Sequence, residues 1–119
     1  MIYHISSRQS WDEARQRGEY RVESLEREGF IHCSTVTQVL PVAEQFYKGQ
    51  SDILLLMIDP ARLSAELKWE PPSGGIPPPG VPAGDPFPHI YGPLNLDAVV
   101  NVYDLESNPD GTHKLPSFD

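Results

Sequence analysis

The chain has 119 residues and a formal net charge of −8, which is enough length for one ordinary domain and too few cations for non-specific nucleic-acid binding. No apolar run approaches the ~20 residues that a membrane span needs, and residues 1–5 lack a signal pattern, so we expect a cytoplasmic protein. The single cysteine, Cys33, cannot form an internal disulfide.

The N-terminal quarter predicts one strand and one short helix. Residues 1–5 predict a strand that carries His4 on the face opposite Tyr3. Ser10 and Glu13 have the spacing of a capping box, which predicts a helix that ends near residue 17. Residues 19–28 are charged and weakly periodic, and they predict an irregular segment with a short strand and a turn.

The most informative stretch runs from residue 28 to residue 35, Glu-Gly-Phe-Ile-His-Cys-Ser-Thr. The two apolar residues before His32 predict a buried strand. A buried imidazole there needs a partner or a function, because an unpaired buried polar group costs roughly 1–3 kcal/mol. Thr35 is followed three residues later by Gln38, which predicts a second helix that reaches about residue 47.

Three more strands follow. Residues 53–58 form a continuous apolar run, which is typical of a central strand buried on both faces. Residues 63–69 alternate weakly and predict another strand, and residues 97–105 predict the last one. Residues 107–119 are polar and contain proline, so we expect a flexible tail there.

A proline-rich loop interrupts the second half of the chain. Eight of the 13 prolines fall between Pro71 and Pro88, so residues 71–86 predict an exposed loop without regular structure. The stretch that follows, Phe-Pro-His-Ile-Tyr-Gly-Pro at residues 87–93, packs aromatic rings between prolines. We expect it to be a rigid loop that holds His89 against the body of the protein.

The predicted order is strand, helix, strand, helix, strand, strand, loop, strand, with no βαβ repeat. We therefore predict a single α+β domain over residues 1–106, with a curved or split, mostly antiparallel sheet and two short helices.

His4, His32 and His89 are the principal candidates for a functional site. Two strand histidines on neighbouring strands can face one cleft and hold a hydroxyl-rich ligand such as a ribose. Each imidazole can instead satisfy a backbone carbonyl, and the three together can instead be an open metal site, although their spacing matches no short ligand motif.

Ser34 and Thr35 stand where a strand passes into a helix, so their hydroxyls either cap that helix or help to bind an anion. Cys33 points away from its neighbour His32, so we expect it to be structural. Glu70, at the start of the proline-rich loop, can stabilise a developing cation at the rim of a cleft or be ordinary surface. Tyr91 can stack on a flat ring or fill the core.

Several stretches together resemble one known family. They are Ile-Tyr-His-Ile at 2–5, Glu-Gly-Phe-Ile-His-Cys-Ser at 28–34, Leu-Leu-Leu-Met-Ile-Asp at 54–59, Lys-Trp-Glu at 68–70 and Phe-Pro-His-Ile-Tyr-Gly-Pro-Leu at 87–94. From about residue 1 to residue 105 the chain resembles a small bacterial family catalogued as domain-of-unknown-function family nine-five-two.

That family is similar in fold to the ADP-ribosyltransferase superfamily, including its NAD-dependent RNA 2′-phosphotransferases. The resemblance implies a split pair of small sheets around an NAD cleft, with His4 on the ribose and Ser34, more loosely Thr35, near the nicotinamide. Many such transferases carry a late catalytic glutamate. The last strand here offers only Glu106 at its end, so Glu70 takes that role in our prediction.

We therefore predict a protein that binds NAD or an ADP-ribose-like nucleotide and that, if it is an enzyme, transfers an ADP-ribosyl or phosphoryl group. A non-catalytic small-molecule binding module and a three-histidine metal protein are the alternatives. The predicted catalytic residues are His32 and Glu70, and the predicted ligand-binding residues are His4, Ser34, Thr35, His89 and Tyr91.

Overall fold

A computed structural model describes residues 1–72 and 74–118, so Ser73 of the predicted loop and Asp119 of the predicted tail lie outside the described residues. The strands are β1 (Ile2–Ser7), β2 (Glu19–Tyr20), β3 (Ile31–His32), β4 (Ile53–Ile58), β5 (Glu66–Glu70), β6 (Phe87–Tyr91), β7 (Leu94–Asn95) and β8 (Val99–Asp104). The α-helices are α1 (Arg8–Arg17), α2 (Glu23–Glu28) and α3 (Val39–Tyr47), and 3-10 turns occur at Val36–Gln38, Pro60–Arg62 and Leu96–Ala98.

The fold is α+β, and every strand pair in it is antiparallel. One sheet has the order β1-β4-β8, a second has the order β3-β6-β5, and β2 pairs with β7. The apolar run of β4 occupies the centre of the first sheet, as its composition predicts. The split, mostly antiparallel arrangement agrees with the predicted class.

The first sheet is covered on both faces because β4 is apolar on both and residues 2–6 of β1 are buried. Alternate residues of β4, such as Leu54 and Leu56, pack into one cluster with Ile31 and Ile90 of the β3-β6-β5 sheet. The residues between them, such as Leu55, pack into a second cluster with α3. Burial on both faces fixes the register of this sheet, since a one-residue slip would exchange its two faces.

A two-bond bridge joins the two larger sheets. The backbone N–H of Tyr3 donates to the carbonyl of Ser34 at 2.8 Å, and the N–H of Ser34 donates back to the carbonyl of Tyr3 at 2.8 Å. Beside this bridge, the Nδ1 atom of His4 lies 2.5 Å from the backbone oxygen of His32. The bridge therefore brings the predicted site residues of β1 and β3 together.

Residues 19–28 are more regular than the prediction of an irregular segment. The expected short strand is β2, but residues 23–28 form helix α2. Its N-cap, Val22, makes no side-chain hydrogen bond. Its glutamates and arginine also leave no helical spacing of apolar residues in the sequence. Helix α1 also begins earlier than expected, because the Ser7 hydroxyl accepts from the backbone N–H of Ser10.

His89 lies in strand β6 and not in the rigid loop that its neighbouring prolines predict. Pro88 is tolerated in this central strand because its carbonyl accepts from the N–H of Cys33, one residue beyond the end of β3. The N–H that Pro88 lacks would lie on the same side of the strand as this carbonyl, beyond the last paired residue of β3. The β3-β6 pair therefore loses no hydrogen bond.

The predicted tail needs a correction, because residues 107–118 fold back onto the domain. Leu115 and Phe118 pack on the second apolar cluster, and the Phe118 ring lies 5.4 Å from that of Tyr3. His113 is only 6% exposed, and its Nε2–H donates to the carbonyl of Gln50 at 2.8 Å. The polar composition of this segment conceals these apolar anchors.

The proline-rich loop is attached to the domain. Gln38 donates from its amide to the carbonyl of Pro86 at 2.9 Å, and Val81 is buried.

Within residues 1–72 and 74–118, no helix has both the length and the apolar character that crossing a membrane requires.

Candidate functional site

A cleft of about 730 Å³ opens between the β1-β4-β8 sheet and the β3-β6-β5 sheet. Helix α2, helix α3 and the proline-rich loop complete its walls. The predicted site residues among its lining are His4, His32, Ser34 and His89. Glu70, Thr35 and Tyr91 are not part of the described lining, so the structure separates the predicted residues into two groups.

His4 is only 7% exposed, and both of its ring nitrogens have partners. Nδ1–H donates to the carbonyl of His32 at 2.5 Å, and Nε2 lies 2.9 Å from the hydroxyl of the fully buried Tyr20. Burial lowers the pKa of His4 to about 4, so the ring is neutral at pH 7 and carries its proton on Nδ1.

The partners of His4 differ from those expected, since neither nitrogen is available to a ribose. The Tyr20 hydroxyl donates to the Ser6 hydroxyl at 2.9 Å, and the Ser6 hydroxyl donates to the carbonyl of Ser7 at 2.8 Å. This buried chain of polar groups holds the backbone of His32 beside β1. The structural role of His4 is therefore to position β3 at the wall of the cleft.

His32 is the most accessible of the three cleft histidines, with 42% of its side chain exposed. Its Nε2–H donates at 2.7 Å to the carboxylate of Glu28, which is the last residue of helix α2. This contact fixes the ring orientation and leaves Nδ1 as the ring nitrogen that can accept a proton. His32 thus keeps the position of a candidate general base.

His89 faces His32 directly across the antiparallel β3-β6 pair. Its Nδ1–H donates to Glu70 at 2.8 Å, and the hydroxyl of Tyr91 donates to the same carboxylate oxygen at 2.5 Å. Burial lowers the pKa of His89, although the hydrogen bond to Glu70 opposes this shift. Glu70 and Tyr91 therefore hold the His89 ring and take no place in the described wall of the cleft.

The Glu70 contacts also alter the acidity of the pair. The hydrogen bond from Tyr91, followed by that from His89, lowers the pKa of Glu70 below its usual value. The same bond to Glu70 raises the pKa of Tyr91 to about 12. Glu70 is thus a carboxylate at neutral pH, and Tyr91 is a proton donor.

An aromatic cluster holds the two facing histidines in place. Phe30 stacks on His89 with a centroid separation of 4.1 Å and meets His32 edge-on at 4.8 Å. The two imidazole centroids are themselves 5.4 Å apart. Tyr91 lies 5.2 Å from Phe30, so its ring supports this cluster in place of the predicted contact with a ligand.

The remaining predicted residues have mixed positions. Ser34 lines the cleft, and its backbone makes the two-bond bridge to Tyr3. Thr35 instead caps the 3-10 turn, with its N–H donating to the Gln38 side chain at 3.0 Å. Cys33 is buried, which raises its pKa and keeps it a neutral thiol, as expected for a structural residue.

The three-histidine metal site finds no support in the structure. Residues 1–72 and 74–118 contain no group of three or more His, Cys, Asp or Glu side chains that could hold a metal ion. The nitrogens of His4 already have partners, and His32 and His89 each donate to a carboxylate.

Sequence reasoning missed the partners of the histidines. Glu28 stands four residues before His32, a spacing that could have suggested the pair. Tyr20 meets His4 and Ser6 only through the tertiary fold, so no local pattern indicates it.

Comparison with known proteins assigns a family to this arrangement. The model described as "Protein of unknown function (DUF952)" matches residues 5–102. The chain belongs to the DUF952 family. This match agrees with the resemblance seen in the sequence, and no curated protein matches the chain.

Solved structures similar to this DUF952 chain come from Caulobacter crescentus. The crystal structure of protein CC0527 is 32% identical, with a TM-score of 0.81 over 95% of this chain and 92% of that one. The crystal structure of a double mutant of CC0527 has 32% identity and a TM-score of 0.80, with the same coverage. The solution NMR structure of CC0527 has 33% identity and a TM-score of 0.73 over 93% and 89% of the two chains.

Proposed function

We propose that this DUF952 protein binds NAD, or an ADP-ribose-like nucleotide, in the cleft between its two larger sheets. The observation that carries the proposal is the convergence of His4, His32 and His89, from three different strands, on that cleft. Its volume of about 730 Å³ lies within the range of small-molecule sites. Two small antiparallel sheets around a cleft also suit the proposed likeness to ADP-ribosyltransferases.

The proposed ligand contacts follow from which ring nitrogens are already used. Glu28 occupies Nε2 of His32 and Glu70 occupies Nδ1 of His89, so the second nitrogen of each ring is left to accept a ribose hydroxyl. The Ser34 side chain lines the same wall and can donate or accept. His4 acts indirectly, by holding the backbone of His32.

The proposed chemistry is transfer of an ADP-ribosyl group, with nicotinamide as the leaving group, or of a phosphoryl group, in each case to an acceptor hydroxyl whose proton His32 removes as general base. A carboxylate partner favours this role because it orients the imidazole and stabilises its protonated form. Glu70 becomes a positioning residue for His89 in this proposal. The predicted role of Glu70 beside a developing cation does not fit its two hydrogen bonds and its place behind His89.

Calorimetric titration with NAD and with ADP-ribose tests the proposal. We expect saturable binding by the wild-type protein and at least about tenfold weaker binding by His32→Ala, a change of roughly 1.4 kcal/mol. His113→Ala is the matched control, because it removes an imidazole that does not line the cleft. Absence of heat with both ligands, or equal binding by His32→Ala, would contradict the proposal.

Mass spectrometry of the same mixtures separates an enzyme from the non-catalytic binding module. Release of nicotinamide from NAD, lost in His32→Ala, supports transfer or hydrolysis. Ligand binding without any product assigns the cleft to the binding module.

A further inference from the structure

Strand β5 is an outer strand of its sheet, since within the described residues it pairs with β6 on one side and with no strand on the other. The carbonyl of Pro88 in β6 faces β3, where it accepts from the N–H of Cys33. Pro88 and its β5 register partner Trp69 therefore share no hydrogen bond, and the N–H and carbonyl of Trp69 point away from the sheet. Leu67, two residues earlier, has the same orientation. Within residues 1–72 and 74–118, these outward backbone groups have no hydrogen-bond partner.

The outer strand of the other large sheet, β8, is protected against further pairing. The N–H of Val102 donates to the side-chain oxygen of its neighbour Asn101 at 3.0 Å, so this edge satisfies a donor within its own strand. An outer strand with unpaired backbone groups is, by contrast, a template for pairing with another strand. β5 therefore has the backbone requirement of an association surface.

The free edge of β5 also exposes a tryptophan. Leu67 packs against the apolar cluster between the sheets, and Trp69 points to the same face of the strand. The Trp69 side chain is nevertheless 50% exposed. Tryptophan is enriched in protein interfaces and among the residues that contribute most of their binding energy. The exposed indole is therefore suited to contact a partner at this edge.

The charges on the opposite face of β5 are complementary to those of a second β5 strand. Glu66, Lys68 and Glu70 alternate along this face. An antiparallel pair centred on Lys68 would oppose lysine to lysine and glutamate to glutamate, which is unfavourable. A pair centred on Trp69 instead places Lys68 of each strand opposite Glu70 of the other. These are positions without mutual hydrogen bonds, where the side chains of an antiparallel pair approach most closely.

Glu70 can accept a lysine from another chain without losing its contacts to His89. Tyr91 and His89 both donate to its Oε1 atom, and no donor among the described residues contacts its Oε2 atom. The Glu70 side chain retains 33% exposure. Lys68 lies over the Tyr91 ring and is 46% exposed, so its ammonium group is also accessible.

We propose that β5 is a dimerisation edge, at which it pairs antiparallel with β5 of a second copy of this chain, with Trp69 at the two-fold axis. The two indole rings cover each other, and two Lys68–Glu70 ion pairs flank them. The β3-β6-β5 sheets of the two copies then form one continuous sheet. This inference does not depend on the proposed nucleotide, so either proposal can fail alone.

Sedimentation velocity of the full chain over a range of concentrations tests this interface. We expect a reversible monomer–dimer equilibrium for the wild type. Trp69→Ala should raise the dimer dissociation constant at least about tenfold, because it removes the central apolar contact. Lys68→Glu should have a similar effect, because it places like charges opposite each other. Val100→Ala is the matched control, since it truncates a 40%-exposed apolar side chain on β8, and it should leave the dissociation constant unchanged.

Circular dichroism of each variant separates loss of association from loss of the fold, and Lys68→Glu changes an accessible side chain. A wild-type chain that stays monomeric at every concentration would overturn the proposal and leave this edge to a strand of a different protein. A dimer that both β5 variants leave intact, or that Val100→Ala weakens equally, would place the interface elsewhere. A dimer weakened by Trp69→Ala alone would contradict the charge-paired register.

Discussion

The chain of buried polar groups from Ser6 through Tyr20 and His4 to the His32 carbonyl connects the candidate site to the core. Both nitrogens of the His4 ring have a partner in it, and the partner on the β3 side is a backbone oxygen. Such a chain is stable only when all of its members are paired, because each unpaired buried group carries the full desolvation cost. A side-chain change here alters the position of His32 without touching any ligand.

Tyr20→Phe tests this chain. Loss of the hydroxyl removes the donor to the Ser6 hydroxyl and the polar neighbour of His4 Nε2 in a buried site, so the free energy of unfolding should fall by about 1–3 kcal/mol. Tyr103→Phe is the matched control. The Tyr103 hydroxyl receives its hydrogen bond from Asn101 at an exposed position, so we expect a loss below about 0.5 kcal/mol.

Urea denaturation monitored by tryptophan fluorescence measures both variants. Equal losses in Tyr20→Phe and Tyr103→Phe would contradict the role of the buried chain.

The neutral state of His4 predicts a dependence of stability on pH. Its pKa is about 4 in the folded protein and 6.5 in an unfolded chain, so between these values the unfolded state binds the additional proton. The free energy of unfolding should therefore fall as the pH is lowered from 6.5 towards 4, by up to about 1.4 kcal/mol per pH unit from this ring.

Denaturation of the wild-type protein and of His4→Gln at several pH values checks this prediction. The variant should have a shallower slope between pH 6.5 and pH 4. Identical slopes would indicate that folding does not lower the pKa of His4.

Among the secondary-structure elements, the proline-rich loop is fastened to the start of α3 by Gln38. Its side chain accepts from the N–H of Thr35 and donates to the Pro86 carbonyl. Gln38→Ala should lower the free energy of unfolding by about 1–3 kcal/mol and make the loop more sensitive to proteolysis. Gln45→Ala, an exposed residue of the same helix, is the control and should change neither measurement appreciably.

Limited proteolysis followed by mass spectrometry locates the cleavage sites. Unchanged cleavage in residues 71–86 of Gln38→Ala would contradict the proposed attachment.

Sequence reasoning predicts the elements whose burial has a local pattern. The β4 strand is an unbroken apolar run, and the Thr35 and Gln38 spacing marks the entry to α3. Helix α2 has no apolar period and no side-chain cap, so its helical state depends on tertiary packing. Strand β6 could not be predicted from the sequence, because Pro88 disfavours a central strand unless the pairing with the neighbouring strand ends beside it.

The candidate site is predictable to the extent that its chemistry lies in single residues. A histidine in an apolar strand is conspicuous, so His4, His32 and His89 can be selected from the sequence. Their division into one buried ring and two rings held by carboxylates depends on strand pairing. The His32–His89 register in particular follows from contacts between residues far apart in the chain.

In the molecule as a whole, the cleft exists because the sheet is split. The β1-β4-β8 and β3-β6-β5 sheets meet at the Tyr3–Ser34 bridge. The folded-back segment 107–118 and α3 cover the second apolar cluster on the first sheet. The three cleft histidines can therefore share one solvent-accessible space while the fold remains tightly packed around them.

Binding of NAD beside His32 and His89 can be observed in the imidazole nitrogen–proton correlation spectrum recorded during a titration with NAD. We expect the signals of His32 and His89 to shift together and saturably, while the signal of His113 stays in place as an internal control. Saturable shifts confined to residues outside the cleft, or no shift of His32 and His89 at saturating NAD, would show that the histidine-lined cleft is not the nucleotide site.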